Sequence, residues 1–379
     1  MDLVIAGSEN IAMQLSKRPE GTTCAGDRIP LIHLDRMTDS TGLIQHAIYG
    51  VPRRESGYTT DDNARALRLC VRLWEQRREE QMLNRVTTYL GFLEYARGVG
   101  RGFHNFLSYD RRWLDAEGCG DCQGQAVRSL AEVLGSSLPG GYQALARELI
   151  NAVLPTLADL RSLRAQAYVI LAMGHLWSAE VKDIEPLESI AWSAARRLAE
   201  CYHRAMQPDW QWFESRMTYA NAVLPHAMFI AAKHWSQADF LDVAQASFAF
   251  LDHHTTAEGV FWPVGNEGWY PRGEEKAPYD QQPVEAATMA EAAQAAFDLL
   301  GAEEYLDAFH RARAWFHGHN SLERSLVDVE SGACCDGLQA SGVNRNQGAE
   351  STLAYLWTEL RHLESEQARG GRRAEVEQI

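Results

Sequence analysis

Apolar positions recur along the chain at three- and four-residue intervals in long runs, and loops rich in Gly, Trp, Tyr and acids separate the runs. That period predicts helices near 61–78, 82–97, 121–135, 141–156, 162–178, 186–203, 217–234, 236–252, 283–300, 302–317 and 346–363. Several ends are punctuated. Asp121 can cap one start and Gly135 closes that helix, while Pro283 suits a first helical position with Gly301 just past the end. The segments at 162–178 (SLRAQAYVILAMGHLWS) and 285–300 (EAATMAEAAQAAFDLL) are apolar or small around most of their circumference, which predicts burial on most sides. Neighbours such as 188–205 (ESIAWSAARRLAECYHRA) carry a charged face.

This alternation suggests an architecture. Buried helices start near 61, 121, 162, 217, 283 and 346, and each except the last is followed by a more amphipathic partner. Six inner helices with outer return helices predict an all-α (α/α)6 toroid spanning 31–363, preceded by an extension (1–30) and followed by a disordered tail (364–379). The sixth outer helix would come from residues near 4–17 or from the tail. An irregular helical domain or an α-solenoid is the alternative. Strand-like stretches are few; GVFWPVGNEGWY (259–270) predicts a hairpin across the ring's mouth, and no strand–helix alternation supports a Rossmann fold.

Composition narrows the function classes. The 379 residues are 46% hydrophobic and carry a formal charge of −15, with no basic stripe before the short Arg372–Arg373 pair, so nucleic acid and anionic membrane are disfavoured partners. Lys17, Lys182, Lys233 and Lys276 are the only lysines, and none stands in a P-loop. The N-terminus lacks a basic region followed by an apolar stretch, and no run approaches the length of a spanning helix. Seven scattered cysteines fit reduced thiols, so a cytoplasmic protein is expected. Cys119 and Cys122 have CxxC spacing but no second pair, so neither a metal nor a cofactor is expected.

In a ring of this kind the loops before the inner helices converge at one end, and the polar chemistry concentrates in them: 33–67, 103–115, 209–227, 268–286 and 334–352. Each mixes acids, amides and aromatics. That mix suits neutral sugars, because amides and carboxylates hydrogen-bond hydroxyl groups while aromatic faces cover C–H faces. A pair of carboxylates can then protonate a leaving oxygen and activate water or attack. Asp61 and Asp62 open a helix, where a cap needs only one acid and the helix N-terminus favours a charged carboxylate. Glu214 stands among Trp210, Trp212 and Phe213, an apolar setting that would favour the protonated form. Glu285 falls in a first helical turn. The expected acid–base set is therefore Asp62, Glu214 and Glu285, with Glu214 as donor and Asp62 or Glu285 as base. Asp61, Asn63, Asp280, Gln282, His226, Trp269, Asp336, Asn346 and Glu350 are the expected substrate contacts. Trp113, Trp262 and Tyr270 are further candidate platforms, with core packing an equally good account of each.

The segments HLDRMTDSTGLIQHA, GYTTDDNARAL, FHNFLSYDRRWLD, WFESRMTYANAVLPHA, YDQQPVEA and VNRNQGAEST together resemble a bacterial family of toroidal glycosidase-like proteins, over residues 31 to 357. Proteins of that family often bear the name glycosyltransferase, because relatives are fused or adjacent to family 4 transferases, and their gene neighbourhoods include mannoside phosphorylases. The chain departs from the family pattern at Cys122, Gln123 and Ala220, where Ser, His and an acid are expected. The resemblance implies carbohydrate metabolism, while a family 4 transferase itself would need two Rossmann-like halves that this sequence lacks. The expected function is hydrolysis of an oligosaccharide, with a mannose-containing one as the candidate that the resemblance implies. The alternatives are a sugar epimerase or isomerase on the same ring, which usually works through histidine bases, and a non-catalytic glycan-binding partner of a transferase or phosphorylase.

Overall fold

The computed structural model describes residues 24–98 and 102–376. Twelve α-helices are present among them: α1 Ile32–Met37, α2 Thr60–Arg77, α3 Glu80–Ala96, α4 Gly120–Leu134, α5 Gly140–Ala158, α6 Leu163–Ser178, α7 Glu185–Ala205, α8 Val223–Trp235, α9 Ala238–His254, α10 Pro283–Leu300, α11 Glu303–Phe316 and α12 Ala349–Val376. Burial separates two layers. Inner α4 buries thirteen of its fifteen residues, whereas outer α7 buries seven of twenty-one. Packing proceeds from α2 to α4, α6, α8, α10 and α12, and α12 returns to α2, so the inner helices close a ring. Each of α3, α5, α7, α9 and α11 lies against the inner helix before it. The architecture is the (α/α)6 toroid expected from the pattern.

Local chemistry explains both the starts and the close packing. Thr59 Oγ1 accepts the Asp62 amide at the head of α2, and Ser162 Oγ accepts the Ala165 amide at the head of α6. Gly301, at φ 72°, ends α10 in a left-handed cap. Inner helices touch where a side chain would not fit: a Cβ on Gly124 would stand 2.8 Å from Tyr168 Cβ, and one on Gly174 would stand 2.5 Å from Ile230 Cγ2.

The structure corrects four expectations. The helix expected from 217 begins at Val223, because Arg216–Met217 pairs with Tyr270–Pro271 as a short ladder and Ala220 takes φ 45° in the turn that follows. The hairpin expected over 259–270 instead joins Thr256–Ala257 to Val260–Phe261. The last helix does not stop at 363. It runs to Val376, so 364–376 is helix rather than disordered tail, and Glu364 ties it to α2 through Arg72 at 2.7 Å. Of the extension, residues 24–30 belong to the ring: Ala25 and Ile29 are buried, and Arg77 donates to the Gly26 and Ile29 carbonyls. This stretch and α1 pack on α12 and α2 where a sixth outer helix would lie; the candidate helix at 4–17 lies outside the described residues. No helix among the described residues is long and apolar enough to cross a membrane, and no group of three metal-ligating side chains gathers among them.

Candidate active site

All six inner helices begin at the same end of the ring, and the loops before α2, α4, α10 and α12 enclose a cavity of about 320 Å³ there. One wall is the head of α2. Thr59 Oγ1 receives the Asp62 amide and donates to Asp62 Oδ2 at 2.7 Å. Arg65, one turn on, reaches Asp62 at 2.8 Å, Asp61 at 3.7 Å and Glu350 of α12 at 2.9 Å. Three carboxylates thus share one guanidinium. Burial, reinforced by the charge of Asp61, pushes the pKa of Asp62 up to about 7 against the pull of Arg65. Desolvation and the like charge of Asp61 thus oppose the helix N-terminus, which was expected to keep Asp62 charged.

The facing wall comes from two loops zipped together. Gln281 and Leu338 exchange backbone hydrogen bonds of 2.8 and 2.9 Å, which sets Asp280 beside Asp336. Gly337 permits the approach, since a Cβ there would stand 2.4 Å from the Gln281 carbonyl and 3.0 Å from Asp280 Oδ1. Asp336 Oδ1 accepts the Gly348 amide at 2.7 Å. Asp280 Oδ1 is buried without a hydrogen-bond partner among the described residues. Burial, then Glu267 and Asp336, push the Asp280 carboxyl above the ordinary aspartate value. Gln282, Gln45, His46, Asn105, Phe106 and Asn344 complete much of the lining.

Of the residues expected from sequence, Asp61, Asp62, Asp280, Gln282, Asp336 and Glu350 line this cavity, and Asn63, Glu214, His226, Trp269, Glu285 and Asn346 do not. Glu214 is not in an apolar pocket. Trp210, Trp212 and Phe213 turn into the core, while the Glu214 carboxylate, 34% exposed, lies 2.9 Å from Arg164. Glu285 is buried and accepts from the amides of Ala220 and Asn221 and from Asn221 Nδ2, holding the turn before α8; burial pushes its pKa up to about 7. Asn63 clamps the backbone of Leu43 and Thr59, and Asn346 accepts the Tyr49 amide. His226 sits in the second turn of α8 and lines a separate cavity nearer the far end of the ring, where burial lowers its pKa to about 3.

The aromatics behave more as frame than as lining. Tyr270 packs edge-on to Trp210 at 5.2 Å, Trp262 Nε1 donates to the Pro278 carbonyl, and Trp113 stacks on His104 at 5.1 Å. Trp269 is half-buried against the core, 6.3 Å from Tyr219.

Sequence reasoning missed the charged stripes along the ring axis. Asp62, Arg65, Arg68 and Arg72 follow each other at three- or four-residue spacing on α2, as do Gln125, Arg128 and Glu132 on α4 and Glu291, Gln294 and Asp298 on α10. Polar residues at helical spacing on helices otherwise buried all round were the available signal. Deeper along the axis Glu291 is paired with Arg68, lies 3.0 Å from Arg128 and accepts Trp357 Nε1 at 2.7 Å. Arg68 also reaches Glu132 at 3.2 Å, and its guanidinium lies over the Trp357 ring at 3.6 Å. Despite the cost of burial, Arg128 and Arg68 hold the Glu291 carboxyl far below the usual range.

No protein-family model matches the chain, and the search of curated proteins gives no match. Solved structures do match. A cellobiose 2-epimerase from Bacillus thermoamylovorans superposes with a TM-score of 0.68 at 13% identity, over 89% of this chain and 97% of that one. A D-mannose isomerase gives 0.66 at 12% identity, over 90% and 96%. A GH76 α-mannanase from Bacteroides thetaiotaomicron gives 0.65 at 10% identity, over 89% and 94%. At such identities the likeness is one of fold, and it places the chain among the (α/α)6 toroids.

Proposed function

We propose that this chain is a carbohydrate-active enzyme that cleaves a glycosidic bond in an oligosaccharide, with the mouth cavity as its active site. The observation that carries the reading is the gathering of five carboxylates, Asp61, Asp62, Asp280, Asp336 and Glu350, around one cavity in unlike environments. Carboxyls with separated proton affinities are what general acid–base cleavage of an acetal needs. Asp280 takes the role of proton donor, because burial favours its neutral form and its Oδ1 has no hydrogen-bond partner among the described residues. Asp61, in the first turn of α2 and 3.7 Å from Arg65 on the cavity wall, takes the role of base or nucleophile. Asp62 and Glu350, bound to the same guanidinium, orient Arg65, and Gln282 and Asp336 supply hydrogen bonds to hydroxyl groups. The GH76 α-mannanase among the similar structures supports a mannose-containing substrate.

Epimerisation is the second reading, favoured by the cellobiose 2-epimerase and D-mannose isomerase among those structures. It requires a base that removes a proton beside a carbonyl and an acid that returns one to the other face. A histidine pair would suit that task, yet the mouth cavity is lined by one histidine, His46, exposed at the rim, while His226 lines a cavity deeper along the ring axis.

The test is to incubate the protein with manno- and cello-oligosaccharides and count new reducing ends. Wild type shortens at least one of them, and Asp280→Asn and Asp61→Asn each lose about 10²–10⁴-fold in turnover, the usual worth of a general acid or base. Shortening that survives both substitutions refutes the role assignment. Conversion without shortening favours the epimerase, and binding without conversion a glycan-binding protein.

A further inference from the structure

One side of the mouth carries an apolar surface that the cavity chemistry does not use. Ile48, Tyr49 and Val51 of the hairpin Ala47–Pro52 are 54%, 65% and 65% exposed, and Phe106, Tyr109 and Leu114 are 45%, 45% and 69% exposed. These six sit on adjoining structure. Tyr58–Thr59 pairs with Phe106–Leu107, Ile44 bridges to Tyr58, the Leu114 amide donates to the Phe106 carbonyl, and Tyr109 stacks on Tyr58 at 6.2 Å. The strip is continuous with the cavity, because Phe106 and His46 belong to its lining. An exposed cluster of this kind marks a contact surface.

Tyr49 shows which kind of contact. It is the first residue of the two-residue hairpin loop between Ile48 and Val51 and takes φ 51°, a place that hairpins normally give to Gly, Asn or Asp. A tyrosine there carries a conformational cost. The backbone is nevertheless pinned: the Tyr49 amide donates to Asn346 Oδ1 at 3.0 Å, and its carbonyl accepts the Gln347 amide at 3.0 Å. Asn346 and Gln347 lie in the stretch that also delivers Asn344 and Gly348 to the cavity wall. One short segment thus sets the cavity lining and the position of an exposed ring.

The geometry points to a sugar-binding rim: Tyr49 and Phe106 are stacking platforms for units of an oligosaccharide that extend out of the mouth cavity, so the substrate is a chain rather than a free mono- or disaccharide. This rests on the reading of the cavity as a carbohydrate site. Flat aromatic faces suit the C–H faces of pyranoses, and the Tyr49 hydroxyl adds a polar edge for their hydroxyl groups. Trp262, Trp269 and Tyr270, the platforms expected from sequence, are anchored to the core or to backbone instead.

The test measures affinities of wild type, Tyr49→Ala, Tyr49→Gly and Phe106→Ala by calorimetry for the disaccharides and hexasaccharides of α-1,6-mannan, β-1,4-mannan and cellulose. Molecular mass is measured in parallel by light scattering. Wild type binds at least one hexasaccharide more tightly than its disaccharide, and each variant lowers that hexasaccharide-to-disaccharide ratio about tenfold. Tyr49→Gly does so with a melting temperature no lower than wild type, since glycine accepts the left-handed backbone without strain. If hexasaccharides bind and the ratio is unmoved in every variant, the platform is refuted and the cavity reading stands. If none of the six sugars binds, both fall. If wild type is a dimer that Tyr49→Ala dissociates without changing the ratio, the strip is a subunit interface and the proposal is overturned.

Discussion

The head of the ring and the structure deeper along its axis are both rich in buried charge, and they manage it in opposite ways. Deeper down, Glu291 and Glu132 are shared among Arg68, Arg128 and His175, and both carboxyls are held below their ordinary values in spite of burial. Those charges are matched. At the mouth, Asp61, Asp62 and Glu350 share Arg65, Asp280 Oδ1 has no partner among the described residues, and burial raises Asp62 and Asp280. Matched buried charge is a frame, and its loss is felt in folding. Unmatched buried acid is chemistry held in reserve, because a ring that needed only stability would pair it or replace it.

The contrast can be broken by substitution. Its largest expected effect is on turnover: Asp280→Asn lowers kcat by about 10²–10⁴-fold while leaving the thermal midpoint equal or higher, because a neutral amide removes a poorly solvated acid. Steady-state kinetics beside calorimetric melting reads both, and a lowered midpoint with intact turnover would make Asp280 a frame residue. Glu291→Gln comes next. It leaves Arg68 and Arg128 short of a counter-charge and costs about 3–5 kcal/mol in urea unfolding; a cost below about 1 kcal/mol would show the network is not structural.

Titration sharpens the comparison, since the two regions respond to pH with opposite sign. Asp62 is raised from 3.8 to about 7 in the fold, so its contribution is full below pH 3.8 and is lost as pH rises through about 7. His226 is lowered from 6.5 to about 3, so its contribution is present above pH 6.5 and is lost as pH falls through about 3. Unfolding free energies from pH 3 to 8 should therefore lose part of the neutral-side decline in Asp62→Asn and part of the acid-side decline in His226→Gln. Unchanged slopes in either variant would contradict the corresponding environment. The smallest effect belongs to the aromatic frame: Trp269→Ala, at a half-buried position, costs about 1–2 kcal/mol, measured by thermal melting.

Much of this was legible in the sequence. Helix boundaries came through at Gly135, Pro283 and Gly301, whereas Asp121, expected to cap α4, lies inside its first turn behind Cys119. They failed where a long-range ladder intervened, as at Arg216–Met217, whose partner is more than fifty residues away. Among the acids at or just before the heads of inner helices, Asp61, Asp280 and Glu350 reach the mouth cavity, while Asp121 and Glu285 do not. Glu214 and Glu285 stand outside the mouth cavity for a common reason. Their roles depend on Arg164, Ala220 and Asn221, partners that no local pattern announces. Arg65 and Arg68 were missed because an arginine on a helix reads as solvent-facing until the ring closes around it.

The most direct test of the central claim is mass spectrometry of the products formed from a mixture of mannohexaose and cellohexaose in H₂¹⁸O and, separately, in D₂O. The account predicts shortened chains with one ¹⁸O in the newly formed sugar ends and no deuterium fixed on carbon, with the signal gone in Asp280→Asn. Unshortened sugars carrying carbon-bound deuterium would contradict it and make the mouth carboxylates the acid–base apparatus of an epimerase.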